Sequence, residues 1–401
     1  MKLLKEKSII WLLSIALLMP FFVKAQDTKT DSSYQFTLVK QLPYTPVKNQ
    51  FRSGTCWSFS AISFIESELL RKGKGEYDLS EMFCVRDAYE KKAEKYLRMG
   101  GTTNFSGGGE FHDVIHTLRD RGLMPEEAYP GLDYGEKNHV HGELDAVAKA
   151  YMDALIKNPN KKISTAWMNG FKGIMDAYLG HVPENFVYKD KLYTSRSFAE
   201  SLGLHSEDYV CLTSFTHHPF YKTFILEVPD NWAWGEIYNV PLDELMEIID
   251  YALDKGYTVG WASDVSEKGF AYNKGVAVIP ETDVTELSGA EKARWEKLTE
   301  KERNSQMYNL DRVVPEKKVT QEMRQKEFDN LQTTDDHGMH IVGYGNDQFG
   351  HKYYYVKNSW GGDNKFNGFF YASVPFVRLK TIDILVHKEA IPTAIKKKLG
   401  I

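Results

Sequence analysis

Cysteine is scarce in this 401-residue sequence: Cys56, Cys84 and Cys211 are all it has. Three thiols allow one disulfide at most and leave at least one sulfur free. They are also too few for a structural zinc site built on two cysteine pairs. The sequence lacks any basic excess, with 50 Lys and Arg against 55 Asp and Glu and a net charge of −5. Nothing in that balance points to a nucleic-acid or anionic-membrane partner, which would call for a basic patch. Beyond the first 25 residues no segment is apolar enough to span a bilayer, and there are no internal repeats or low-complexity tracts. What remains is 42% hydrophobic and 26% charged, an ordinary globular balance. The 23 Tyr and 22 Phe promise a well-packed core.

Residues 1–25 have a different character. Lys2, Lys5 and Lys7 precede an apolar run from Ile9 to Val23, broken only by Ser14 and Pro20. Val23-Lys24-Ala25 then offers small residues where a signal peptidase reads them, before Gln26. The run is shorter than the roughly 20 residues of a spanning helix, so a cleaved signal is expected and an uncleaved anchor is the alternative. No cysteine follows the run, which argues against a lipoprotein anchor. The mature chain, residues 26–401, is expected to be exported, periplasmic or secreted, with no stable membrane insertion.

Along the mature chain, Trp57, Phe59, Ile62, Phe64, Ile65, Leu69 and Leu70 recur at helical spacing and predict a helix from about Cys56 to Lys72, stopped by Gly73. Ser80 is a candidate N-cap for a second helix. A glycine-rich loop at Phe105 to Gly109 leads into a third helix near Phe111 to Arg121. Residues 140–256 read as mainly helical, ending on an amphipathic helix from Pro241 to Lys255. Strands are expected at Thr258 to Ala262 and Gly275 to Ile279, and a charged, solvated helix at Thr285 to Arg303. From Met339 the pattern becomes strand-like: His340 to Tyr344, Lys352 to Lys357 and Gly368 to Ser373. A helical front and a sheet-rich back predict an α+β fold of two packed lobes with a cleft between them.

Cys56 stands out by its position. It opens the first helix after Ser53-Gly54-Thr55, where unpaired N–H groups and the positive dipole end favour a thiolate. Gln50, six residues earlier, can aim its amide beside the Cys56 N–H, giving two donors for an oxyanion. A base and a group to fix it are the remaining needs of a cysteine hydrolase. His340, in His340-Ile341-Val342-Gly343-Tyr344-Gly345, is taken as the base, and Asn358, in Lys357-Asn358-Ser359-Trp360-Gly361, as its orienter. On neighbouring antiparallel strands the two would meet, with Trp360 shielding their hydrogen bond from water. Cys84 and Cys211 have no such context and read as buried structural thiols, with a disulfide between them left open. His217-His218 and Asp335-Asp336-His337 offer no third metal ligand at recognisable spacing and read as loop polarity.

Gly54-Thr55-Cys56-Trp57, with the distant His340 and Asn358 motifs, resembles the papain superfamily of cysteine peptidases. Within it the chain is similar to the bleomycin hydrolase and aminopeptidase C branch. Cys56 and His340 lie much further apart than the roughly 130 to 150 residues of papain, which implies a large, mainly helical insertion, placed at about 140–256 and 285–330. Tyr178-Leu179-Gly180, Pro183-Glu184-Asn185-Phe186, Leu192-Tyr193-Thr194 and Gly260-Trp261-Ala262-Ser263-Asp264-Val265 resemble segments of that branch. The resemblance implies a papain-like two-lobe fold, a helical lobe and an antiparallel sheet or barrel lobe. It assigns substrate binding to Gly108, Gly109 and Trp360. It implies acyl transfer from peptide substrates by Cys56, His340, Asn358 and Gln50, with no metal or cofactor.

The branch further implies an aminopeptidase assembled as a homo-hexamer, whose C-terminal arm offers a carboxylate to the substrate amine. Here the residues after Pro392 are few and include Lys396-Lys397-Lys398, so some endopeptidase activity through a more open cleft is the alternative expectation. Transglutaminase-like acyl transfer would normally use Asp in place of Asn358. A catalytically inactive binding or assembly protein would be expected to lose Cys56 or Gln50, and both are present.

Overall fold

A computed structural model describes residues 33–401. The chain enters on strand β1 (Phe36–Gln41) and turns into helices α1 (Cys56–Arg71), α2 (Glu81–Arg98) and α3 (Phe111–Asp120). Burial extends round almost the whole of α1, including its serines, so this helix runs through the interior rather than along a surface. Ser80 caps α2 as the sequence predicts, its Oγ accepting from the Phe83 N–H at 3.0 Å. At the start of α3, Glu110 and Asp113 form a reciprocal capping box.

Residues 140–256, expected to be mainly helical, contain both kinds of element. Helices α4 (Gly142–Ile156) and α5 (Trp167–Leu179) precede a hairpin, β2 (Phe186–Tyr188) with β3 (Lys191–Tyr193), and then α6 (Ser195–Leu202). Strands β4 (Tyr209–Thr213), β5 (Thr223–Ile225) and β6 (Glu236–Asn239) follow, before α7 (Leu242–Lys255). These last three strands extend the main sheet, because β4 pairs antiparallel with a strand near the end of the chain.

Past β7 (Val259–Ser263), β8 (Phe270–Ala271) and β9 (Val276–Ala277), the charged stretch forms two helices rather than one: α8 (Gly289–Trp295) and α9 (Glu300–Asn309). Thr299 breaks the run by capping α9 in a box with Glu302. Then come α10 (Gln321–Asp329), β10 (His337–Asp347), β11 (Lys352–Lys357), β12 (Phe369–Ser373), α11 (Val374–Lys380), β13 (Thr381–His387) and α12 (Thr393–Leu399).

The main sheet runs β5-β6-β4-β13-β7-β10-β11-β12-β9-β8, with β1 also paired to β10. β10 is its hub, antiparallel to β1, β7 and β11. It begins at His337, three residues before the start read from sequence. The sheet stands between two cores. One gathers the apolar faces of α1 to α6, the other those of α7, α11, α12 and the opposite sheet face. The period-2 alternation of strands serves both: Cys211 of β4 and Ala262 of β7 join the first, Leu212 and Trp261 the second. Helix α1 lies directly against β10.

Candidate active site

Cys56 is half-buried at the start of α1. Gly54 makes the turn before it at φ +66°, a conformation that excludes most side chains. Unlike Ser80, the N-cap residue Thr55 makes no side-chain cap bond; its hydroxyl lies 2.5 Å from Ser53 Oγ instead. First-turn N–H groups therefore remain for the sulfur. The Trp57 and Gly338 N–H groups both reach it.

Gly338 brings β10 into this contact. A Cβ there would lie 2.7 Å from Ser60 Oγ and 3.2 Å from Trp57 Cα, so strand and helix meet without a side chain between them. The residue just before it, His337, is buried and directs Nε2 to Asn358 Oδ1 at 2.7 Å. That oxygen also accepts from the Ser359 N–H at 2.8 Å. It is thus the acceptor, Nε2 carries the proton, and Nδ1 is the basic nitrogen. Trp360 stacks on the imidazole, with ring centroids 4.5 Å apart.

This corrects the histidine assignment. The pairing expected between His340 and Asn358 is made by His337. His340 also faces α1, but at Ser63, whose Oγ is 2.9 Å from its Nδ1. Ser63 lies two helical turns beyond Cys56, about 10 Å along the axis. His340 is buried against Phe64; its own burial first, and the Lys357 ammonium second, hold its pKa well below the usual histidine range. It has no path to the sulfur. The two histidines three positions apart, with a glycine after the first, were the available signal; the acidic flank Asp335-Asp336 made His337 read as loop.

Gln50 is held by Ser359. Its backbone N–H donates to Ser359 O at 2.8 Å, and its Oε1 accepts from Ser359 Oγ at 2.6 Å. Fixing the oxygen leaves the amide N–H groups free to donate. Ser359 thus ties Gln50 to the Asn358 segment, a link that sequence alone did not suggest.

Electrostatics differ from the expectation of a dipole-lowered thiol. Burial pushes the Cys56 thiol up to about 12; the Asp335 and Asp230 carboxylates add to this, and the Gly338 and Trp57 N–H groups oppose it. Burial also holds His337 down to about 4, against the pull of its bond to Asn358. Both shifts favour the neutral forms, a thiol at Cys56 and an imidazole at His337.

The glycine loop closes one side. A Cβ at Gly107 would meet Ser53 O at 2.6 Å, one at Gly109 the Trp57 ring at 2.8 Å, and one at Gly108 the Asp230 carboxylate. Trp57 Nε1 donates to Gly107 O at 3.0 Å, and buried Lys92 donates from below to Ser106 O (2.6 Å) and to Gly108 O. Trp360 also lines an open groove of about 530 Å³ with Val265, Phe270 and Tyr272. Cys84 and Cys211 are buried free thiols on α2 and β4. His217 and His218 do gain a third group that sequence spacing hid: their Nε2 atoms lie 3.0 and 2.7 Å from the two oxygens of Glu227. Each imidazole is satisfied by one carboxylate oxygen.

Residues 19–303 match the peptidase C1-like family, and residues 296–376 the papain family of cysteine proteases. The chain belongs to the peptidase C1-like family. Aminopeptidase G of Lactobacillus delbrueckii subsp. lactis is 23% identical over 393 residues, 87% of this chain and 82% of the relative. Bleomycin hydrolase of Mus musculus is 22% identical over 271 residues, 55% of this chain and 59% of the relative. The crystal structure of PepW from Lactobacillus rhamnosis shares the fold, at a TM-score of 0.67 and 18% identity, covering 91% of this chain and 84% of that one. In this cysteine peptidase, helix α1, which opens on Cys56, lies against strand β10, which opens on His337.

Proposed function

We propose that this peptidase is an aminopeptidase acting through Cys56, His337, Asn358 and Gln50. The observation that carries the reading is the His337–Asn358 bond beside the Cys56 sulfur. Burial disfavours a lone thiolate or a lone imidazolium, but moving the proton from Sγ to His337 Nδ1 creates both together with no net charge. Opposite charges about 4 Å apart attract by about 4 kcal/mol at a protein-like permittivity, which offsets part of that cost. The sulfur then attacks the peptide carbonyl, and the Gln50 amide and Cys56 N–H hold the oxyanion. His337 gives its proton to the leaving amine, and water activated by the same imidazole releases the acyl group. Gly108 and Gly109 present backbone to the substrate, and Trp360 keeps water from the His337–Asn358 bond. The aminopeptidase reading draws on the named relatives.

The test sets His337→Ala and His340→Gln against wild type on a fluorogenic aminoacyl amide. His337→Ala should lose roughly 10³-fold or more in kcat, and His340→Gln less than about 10-fold. The reverse order would restore His340 as the base.

We also propose that residues 1–25, which lie outside the described residues, are an export signal. Support comes from the lysines, the apolar run and the Val23-Lys24-Ala25 site alone. The N-terminus of the native protein tests it.

A further inference from the structure

Four carboxylates from four separate segments converge in one cluster, with Asp335 and Asp230 acting on Cys56 and Glu110 and Asp383 acting on Cys211. Asp230 comes from the loop between β5 and β6, Glu110 from the N-cap of α3, Asp335 from just before β10, and Asp383 from β13. Asp335 and Asp230 both act on the Cys56 sulfur. Asp335 and Glu110 meet side chain to side chain, and Asp383 acts on Glu110 and is acted on by Asp335. Burial first, and like charge second, push Asp335 up to about 7 and hold Glu110 and Asp383 well above the usual carboxylate range.

This is not a solvated acidic patch. Glu110 is 4% exposed and Asp383 1%. Glu110 Oε1, Asp335 Oδ2 and Asp383 Oδ1 are buried atoms without a hydrogen-bond partner. Leaving buried polar atoms unpaired is costly, and a native fold keeps few of them without a reason. Glu110, directed at Asp335 from the floor, is the plainest case. Asp230 forms the outer wall: its Oδ1 accepts from Asn104 Nδ2 at 2.8 Å, and its carboxylate packs onto bare Gly108. Lys92 acts on Asp230, but its ammonium is already engaged by the Ser106 and Gly108 carbonyls.

We propose that Asp230, Asp335 and Glu110 form a pocket beside Cys56 that binds a primary ammonium group of the peptide substrate. The inference rests on the peptidase reading and supplies its specificity. An ammonium brings one positive charge and three N–H donors, matching three carboxylates with acceptor atoms to spare. Two parts of a peptide carry this group: a free N-terminus and a lysine side chain. Binding requires ionised carboxylates. Asp335 faces Asp230, Asp336 and Glu110, with Asp383 behind, so affinity should rise as pH climbs through about 7. It should fall again once a peptide's terminal amine loses its proton near about 8.

The experiment compares wild type, Asp230→Asn and Asp335→Asn on three fluorogenic amides with leucine at the cleaved bond: free Leu, N-acetyl-Leu and N-acetyl-Lys-Leu. Labelling of Cys56 by the thiol-directed epoxide E-64 is followed in each protein. An unlabelled, inactive wild type overturns the peptidase reading itself, separately from the pocket. In labelled variants, KM for an ammonium-bearing amide should rise roughly 10- to 100-fold relative to KM for the N-acetyl-Leu amide, while any change in kcat from the altered field at Cys56 is common to all three amides. Loss confined to free Leu identifies the N-terminus as guest, and loss confined to N-acetyl-Lys-Leu the side chain. An equal rise in KM on all three amides, or none on any, overturns the pocket.

Discussion

His337 and His340 lie on one strand at an odd separation, so their side chains leave opposite faces of the sheet. Gly338 and His340 point at α1, and His337 leaves from the other face at the strand's first residue, where the lobes part. The contact that brings this end of β10 to Cys56 depends on Gly338 having no side chain. Gly338→Ala would drive a methyl into Trp57 Cα, a backbone atom of α1 that cannot swing aside. We expect a stability loss of about 1 to 3 kcal/mol, and a kcat loss of roughly 10²-fold as His337 is displaced. Thermal unfolding and kcat/KM check it, and wild-type kcat in this variant would sink the argument. Cys56, Gln50 and Asn358 stood out in sequence as candidates because each sits in a local pattern whose chemistry is local. The choice between two histidines was not, since both fit the strand and only distance to the sulfur separates them.

At the scale of elements, α1 was legible from end to end because its apolar spacing and helix-start signals agree. The last helix was not. The sequence reading asks whether the lysine-rich residues after Pro392 enter the cleft as an arm. They form α12, which buries Ile395 and Leu399 in the second core and pairs Lys398 with Glu244 of α7 at 2.5 Å. Protein ending at Pro392 should therefore lose about 3 to 6 kcal/mol of stability, the worth of two buried aliphatic side chains. It should gain no cleavage of N-acetylated peptides. Urea unfolding and the acetylated amide are the measurements. Unchanged stability with newly released cleavage would make α12 a blocking arm after all. Charged residues at 3.6 spacing look solvated in sequence, yet three lysines here flank a buried edge.

For the whole molecule, the sheet divides two cores, and the stretch 140–256 feeds both. Helices α4 to α6 help build the first core, α7 packs into the second, and β4 to β6 lengthen the sheet between them. The loop at Asp230 arrives near Cys56, so this stretch shapes the surroundings of the sulfur as well as the bulk. The proposed export signal also belongs to this scale, because its removal would fix which chain folds. N-terminal sequencing of native protein should begin at or near Gln26, and Met1 on a membrane-bound protein would favour the anchor instead.

By itself the sequence determined the two-lobe α+β class and singled out Cys56, Gln50 and Asn358 as the residues proposed for nucleophile, oxyanion donor and orienter. Those follow from helix-start chemistry and strand periodicity, which act over a few residues. Only the tertiary structure decided which histidine meets Asn358, because that depends on where β10 begins and how closely it can approach α1. It alone brought Asp230, Glu110, Asp335 and Asp383 together. In sequence they are ordinary polar residues on a cap, two loops and a strand. Their shared burial, and so their raised pKa values and unpaired oxygens, exists only once four distant segments close on one another.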